Sequence, residues 1–162
     1  MEKWDAYNER GKIEAGELLR DNPIPKGLYH LVSEVLLRHM DGDYLIMQRD
    51  FNKHAWGGYF EATAGGSALK GETAMEAASR ELFEETGIHG TRFSEIGRLT
   101  TDDTIFVSFI ATCDSAKDSV ILQKGETISY KWITKEELII FLNSDECIPS
   151  QRERILEHIV SE

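Results

Sequence analysis

The chain has 162 residues, 41% of them apolar and 29% charged, with 18 basic against 29 acidic side chains and a net charge of −11. That length buries a core without staples, and two cysteines, Cys113 and Cys147, make neither a disulfide framework nor a cysteine-based zinc site. So acidic a surface repels nucleic-acid phosphates and anionic membranes. With no apolar leader and no run long enough to span a bilayer, the sequence reads as one cytoplasmic domain over 1–162.

Taken in order, Trp4–Tyr7 and Lys12–Ala15 form a candidate hairpin, followed by a Pro-rich loop over 21–27. Leu28–Arg38 is a candidate strand, Asp41-Gly42-Asp43 a turn, and Tyr44–Gln48 the returning strand. Trp56-Gly57-Gly58-Tyr59-Phe60 is an aromatic bend leading into a short strand, and Gly65-Gly66 is expected to break the pattern. Thr73–Thr86 is the best helix. Thr73 and Glu76 make a capping box, Gly87 suits the C′ position, and Ala74, Ala77, Ala78 and Leu82 form a small-residue packing face. Three strands follow, Ser94–Thr100, Thr104–Thr112 and Thr127–Ile133. Then come two helices, opened by Thr134 with Glu137 and by Ser150 with Glu153; the last carries Ile155, Ile159 and Val160. The expected class is α/β, a mixed β-sheet with helices on its faces.

Residues 66–88 hold five acids and two bases, the densest acidity in the chain. At about 100° per residue, Glu84 lies ~300° and Glu85 ~40° past Glu81, so the three carboxylates share one helix face. Like charges at these spacings repel by a few tenths of a kcal/mol per pair, and the C-terminal half of a helix disfavours anions. Taken alone, Glu-x-x-Glu-Glu is more often a solvated acidic face. A divalent cation such as Mg²⁺ or Mn²⁺ would resolve the clash through hard oxygen ligands.

The wider spacing tips the balance. Gly66, Glu72, Arg80-Glu81-Leu82, Glu84-Glu85 and Gly87-Ile88 match every defined position of the pattern G-x5-E-x7-R-E-U-x-E-E-x-G-U, U being aliphatic. A chance match is on the order of one in ten million. The sequence thus resembles the Nudix hydrolases, and the resemblance covers most of the chain. It implies an α/β/α sandwich and Mg²⁺- or Mn²⁺-dependent hydrolysis of a nucleoside diphosphate derivative or similar small diphosphate. By motif position, Glu81, Glu84, Glu85 and the carbonyl of Gly65 correspond to metal ligands. Glu81 or Glu85 polarises water, Arg80 orients the glutamates, and Glu72 ties down the loop. Glu126, ahead of the last strand, resembles a later-loop general base, and equally reads as a turn residue.

Trp4-Asp5-x-Tyr7, Gly27-x-Tyr29-His30 and Gln48-Arg49-x-x-x-Lys53-x-x-Trp56 resemble the isopentenyl diphosphate isomerase-like branch. In that branch the residues matching Arg49 and Lys53 contact the diphosphate. Gly65 and Ser67 stand where the isomerases carry a catalytic Cys-x-His, and the partner of the metal histidine matching His30 is absent, so His30 reads as a structural strand residue. The alternatives to a hydrolase are an isomerase of an allylic diphosphate and a non-catalytic nucleotide-sensing domain. Cys113 and Cys147 are expected to be inert, and Trp56, Tyr59 and Phe60 to cluster beside the site, mostly packing. The expected partner is a small diphosphate rather than a nucleic-acid polymer or a membrane, with a homodimer left open.

Overall fold

A computed structural model describes all 162 residues. The N-terminal hairpin pairs β1 (Lys3–Tyr7) with β2 (Ile13–Leu19). The second strand runs four residues past its expected end, because Leu18 lies opposite Trp4 and the two bury together with Ala6. β3 (His30–His39) is the spine of the main sheet, and β8 (Thr104–Cys113) runs parallel to it in unbroken register, from His30 opposite Thr104 to His39 opposite Cys113. β7 (Thr91–Thr100) pairs antiparallel with β8 at the edge.

The expected hairpin of β3 with β4 (Tyr44–Arg49) closes at a single pair, Arg38 with Tyr44, and then forks. The chain fills this fork itself. β5 (Phe60–Ala62) pairs with β4, and β6 (Ala64–Ser67) crosses to pair with β3, while β9 (Thr127–Ile133) also pairs with β4. Thr63 is the crossing point. It is fully buried at φ 44°, a left-handed conformation rare for a β-branched residue. Its hydroxyl donates to Leu45 O at 2.6 Å and accepts from Leu37 N at 2.9 Å, satisfying backbone groups that the fork leaves without strand partners.

Gly65 and Gly66 therefore do not interrupt the sheet; they are two residues of β6. A Cβ on Gly65 would stand 2.9 Å from Ser33 O, and one on Gly66 2.4 Å from the Glu81 carboxylate. Glycine is what lets the next helix settle on this strand.

That helix, α1 (Ala74–Thr86), begins with the expected Thr73–Glu76 capping box and ends at Gly87 with φ 70°. Its Ala77, Ala78 and Leu82 bury against Val35, Met47, Val107 and Phe109 on one face of the sheet. The opposite face is covered by α2 (Lys135–Leu142), capped by Thr134 and Glu137, and by α3 (Pro149–Ser161). The last helix departs from expectation. Pro149 occupies its first turn after Ile148, so Ser150 already lies inside the helix and caps nothing. Val160 is exposed, whereas Gln151 and Arg154 are buried against the sheet. The result is an α/β/α sandwich with two cores. No helix is long and apolar enough to cross a membrane.

Candidate active site

The carboxylate face of α1 looks into a cleft of about 410 Å³, and all eight side chains or glycines singled out from the sequence line it: Arg49, Lys53, Gly65, Arg80, Glu81, Glu84, Glu85 and Glu126. They come from β4 and the loop after it, from β6, from α1 and from the turn before β9. Four chain segments thus converge where the sheet forks.

Arg80 organises the helix side. It grips both oxygens of Glu72 at 2.7 and 2.9 Å, donates to Glu81 at 2.6 Å and Glu84 at 3.3 Å, and reaches Ser67 O at 3.1 Å. Glu72 also accepts from Leu69 N at 2.8 Å, which clamps the loop between β6 and α1. Its role is structural, as its motif position implies. The hydrogen bond from Arg80, the chief cause, holds the Glu72 carboxyl below the usual carboxylate range.

Glu85 is placed differently. It is buried, and no Lys or Arg pairs with it. Burial first, and then the charges of Glu61, Glu81 and Glu126, push its carboxyl well above the usual range, against the Gly65 backbone amide. Burial also raises Glu81, with Arg80 opposing.

Glu61 completes the group, and sequence reasoning did not single it out. It sits on β5, where alternation sends Phe60 and Ala62 to the α2–α3 face and Glu61 to the α1 face. Its burial pushes the carboxyl up to about 7, although Arg49 lies within 3.1 Å. The available signal was a lone acid between apolar residues in a short strand. Glu2 and Arg20 also line the cleft, and neither carries any local signature.

Lys53 forms a short ion pair with Glu126, and Asp50 N donates to Glu126 O at 2.8 Å, so the two flanking loops are tied across the cleft mouth. Arg49 divides its donors between Glu61 and Ala55 O. Both sequence-predicted phosphate contacts therefore hold carboxylates or backbone in this state.

The aromatic expectation needs correction. Trp56 and Tyr59 meet edge to face at 5.2 Å and line a groove with Leu142, Cys147 and Pro149, not the carboxylate cleft. Phe60 packs into the core on that same side. His30 is structural: it stacks on Trp4 at 4.4 Å and bonds the Thr104 hydroxyl at 2.9 Å. Cys113 and Cys147 are buried in the two cores, and burial pushes both thiols up, Cys147 to about 11. A second cleft of about 410 Å³ lies between β7 and α3. Its Arg98, Arg154 and His158 already contact Glu95, Glu34 and Glu162.

The donor set suits a hard divalent cation: carboxylates ranging from the buried Glu85 to the exposed Glu84, beside a backbone strand. As placed, no three of them converge on one point at coordination distance. Glu81 and Glu84 turn toward Arg80 instead. Mg²⁺ keeps several waters and needs only one or two carboxylates, so this arrangement fits it.

Fold and cleft together define an α/β/α sandwich with a carboxylate-rich helix at the fork of a mixed sheet. Residues 28–158 match the family model of the NUDIX domain. A Listeria monocytogenes protein named as an uncharacterised Nudix hydrolase, lmo0368, is 38% identical over 155 residues, covering 92% of this chain and 89% of its own. The Escherichia coli Nudix hydrolase YfcD is 29% identical over 135 residues, covering 83% and 74%. Among solved structures, DR0079 of Deinococcus radiodurans superposes with a TM-score of 0.74 over 99% of this chain and 98% of its own at 22% identity. A MutT protein of Methanosarcina mazei gives 0.64 over 82% and 94%, also at 22% identity. These likenesses to solved structures show the fold. The chain belongs to the Nudix hydrolase family.

Proposed function

We propose that the protein is a divalent-metal-dependent hydrolase that cleaves a diphosphate linkage in a small molecule by water attack on phosphorus. The observation that carries the reading is Glu85: a buried carboxylate without a cationic partner, crowded by Glu61, Glu81 and Glu126. Such a cluster is costly in a resting protein and useful around a cation.

Glu81, Glu84, Glu85 and the Gly65 carbonyl would hold Mg²⁺ or Mn²⁺. When bound, the metal neutralises diphosphate oxygens and lowers the pKa of a coordinated water. Arg80 orients Glu81 and Glu84 through its hydrogen bonds. Arg49 and Lys53 are placed to receive diphosphate oxygens once substrate competes with Glu61 and Glu126 for them. Glu126, released from Lys53 in that exchange, is positioned to accept a proton at its carboxylate. Both cysteines lie in the cores, so no thiol is available for an isomerase-type proton transfer in the cleft.

The test is phosphate release from a panel of nucleoside diphosphate derivatives, with and without Mg²⁺. Turnover should require the metal and fall about a thousandfold in Glu81→Gln. Mg²⁺ should also stabilise the wild-type fold, by about 2.7 kcal/mol at a hundredfold excess over its Kd, and the variant less. A silent panel would favour nucleotide sensing, and full activity in Glu81→Gln would remove the site assignment.

A further inference from the structure

One cation of the cleft lies outside the region that matches the family. Arg20 directly follows β2 of the N-terminal hairpin, ahead of residue 28 where the NUDIX match begins, yet it lines the cleft with its partner Glu2.

The hairpin is fastened to the loop that leads into α1. Lys70 N donates to Lys3 O at 2.8 Å, and Gly71 N donates to the Asp5 carboxylate at 2.8 Å. The Lys3 and Lys70 ammonium groups both reach Glu17, at 2.9 and 2.8 Å. Trp4 is buried against His30. At the cleft end, Trp4 Nε1 donates to one oxygen of Glu2 at 2.7 Å, and Arg20 Nη1 donates to the other at 2.9 Å. Arg20 N also donates to Glu2 O at 3.1 Å. The open end of the hairpin, Glu2 before β1 and Arg20 after β2, therefore edges the site, and Arg20 is anchored there at its root.

The four cleft cations differ in what they have left to offer. Arg80 has every nitrogen of its guanidinium engaged. Arg49 is divided between Glu61 and Ala55 O, and Lys53 is paired to Glu126. Their side chains are 19–23% exposed. Arg20 is 59% exposed, and only its Nη1 has a side-chain partner. Its Nε and Nη2 remain as a fork of donors on the cleft rim, the geometry that grips phosphate or carboxylate oxygens two at a time. Of the fourteen residues around the cleft, Leu69 is the one hydrophobic, so the substrate portion held here is polar.

We propose that Arg20 is a specificity-determining contact for an anionic group of the substrate beyond the diphosphate that is cleaved, a third phosphoryl group or its charged equivalent. Arg49 and Lys53 serve the diphosphate beside Glu61 and Glu126; Arg20 reads the additional charge from the open end of the hairpin. The inference rests on the hydrolase reading for where the diphosphate sits, but its test does not need turnover.

Calorimetric binding of inorganic pyrophosphate and inorganic tripolyphosphate, both with Mg²⁺, to wild type, Arg20→Ala and Arg20→Lys reads the contact directly. Wild type should prefer tripolyphosphate by about tenfold. Arg20→Ala should bring the two ligands within about twofold by weakening tripolyphosphate alone, and Arg20→Lys should recover part of the preference. The melting temperature of Arg20→Ala should stay within about 4 °C, since only an exposed pair to Glu2 is lost. A wild type without preference overturns the proposal. So does an Arg20→Ala variant that keeps the preference or weakens both ligands equally. Phosphate release from the panel of nucleoside diphosphate derivatives and from both inorganic compounds is followed in parallel. If wild type hydrolyses nothing while Arg20→Ala abolishes the preference, the hydrolase reading fails and the anion contact stands.

Discussion

Glu34 and Glu85 are both glutamates with 5% exposure, and they lie on opposite faces of the same sheet. Glu34, in β3, receives Arg154 of α3 on both oxygens at 2.6 and 2.7 Å and the Ser108 hydroxyl at 2.5 Å. The Arg154 guanidinium also lies 4.3 Å from the Phe106 ring. Glu85, in α1, receives no cation, and the charges of Glu61, Glu81 and Glu126 act on it. Burial is equal; compensation is not. A paired buried charge is a structural tie between helix and sheet, whereas an uncompensated one is a standing demand for a ligand.

Substitutions should therefore have crossed effects. Glu85→Gln is expected to lower turnover about a thousandfold while the melting temperature holds or rises, because a costly buried charge is removed. Kinetics and calorimetry on one preparation would check this; a variant that melts early but turns over normally would erase the contrast. Arg154→Met should do the reverse. It strands Glu34 in the core at a cost of about 3–5 kcal/mol, a fall on the order of 10 °C in melting temperature, with turnover per folded molecule unchanged. The smallest effect sharpens the comparison on the α1 side. In Gly66→Ala the new methyl group would meet the flexible Glu81 carboxylate at 2.4 Å, so that carboxylate swings aside. Activity should drop about tenfold, with a stability change near 1 kcal/mol, measured by urea titration beside the kinetics. An inactive and strongly destabilised Gly66→Ala would mean that the glycine serves the sheet rather than the site.

Much of the site was legible because its geometry is local. The three glutamates of α1 share a face by helical period alone, and Thr73 and Gly87 bound the helix by capping chemistry that acts within four residues. The motif position of Arg80 implied that it orients the glutamates, while its grip on Glu72 is visible only in the fold. Glu61 escaped notice because a three-residue strand has no periodicity to measure. The aromatic bend was assigned to the wrong side because alternation reverses between Phe60 and Glu61, and which face is which depends on what packs above it.

The sequence by itself determined the mixed sheet with helices on its faces and the loop and helix that carry the box; the α/β/α sandwich and eight of the fourteen positions that line the cleft came with the resemblance that the box carries. Within the box, spacings are short enough for backbone geometry to make side chains neighbours. Only the tertiary structure decided that β3 and β4 fork, that Thr63 bridges the fork, and that Glu61 is thereby set near Glu85. It alone brought Glu2 and Arg20 of the N-terminal hairpin to the cleft. Those relations depend on which strand edge pairs with which and on what docks against a distant loop. Pairing of that kind is settled by the burial and hydrogen bonding of the whole chain, not by any pattern within one segment.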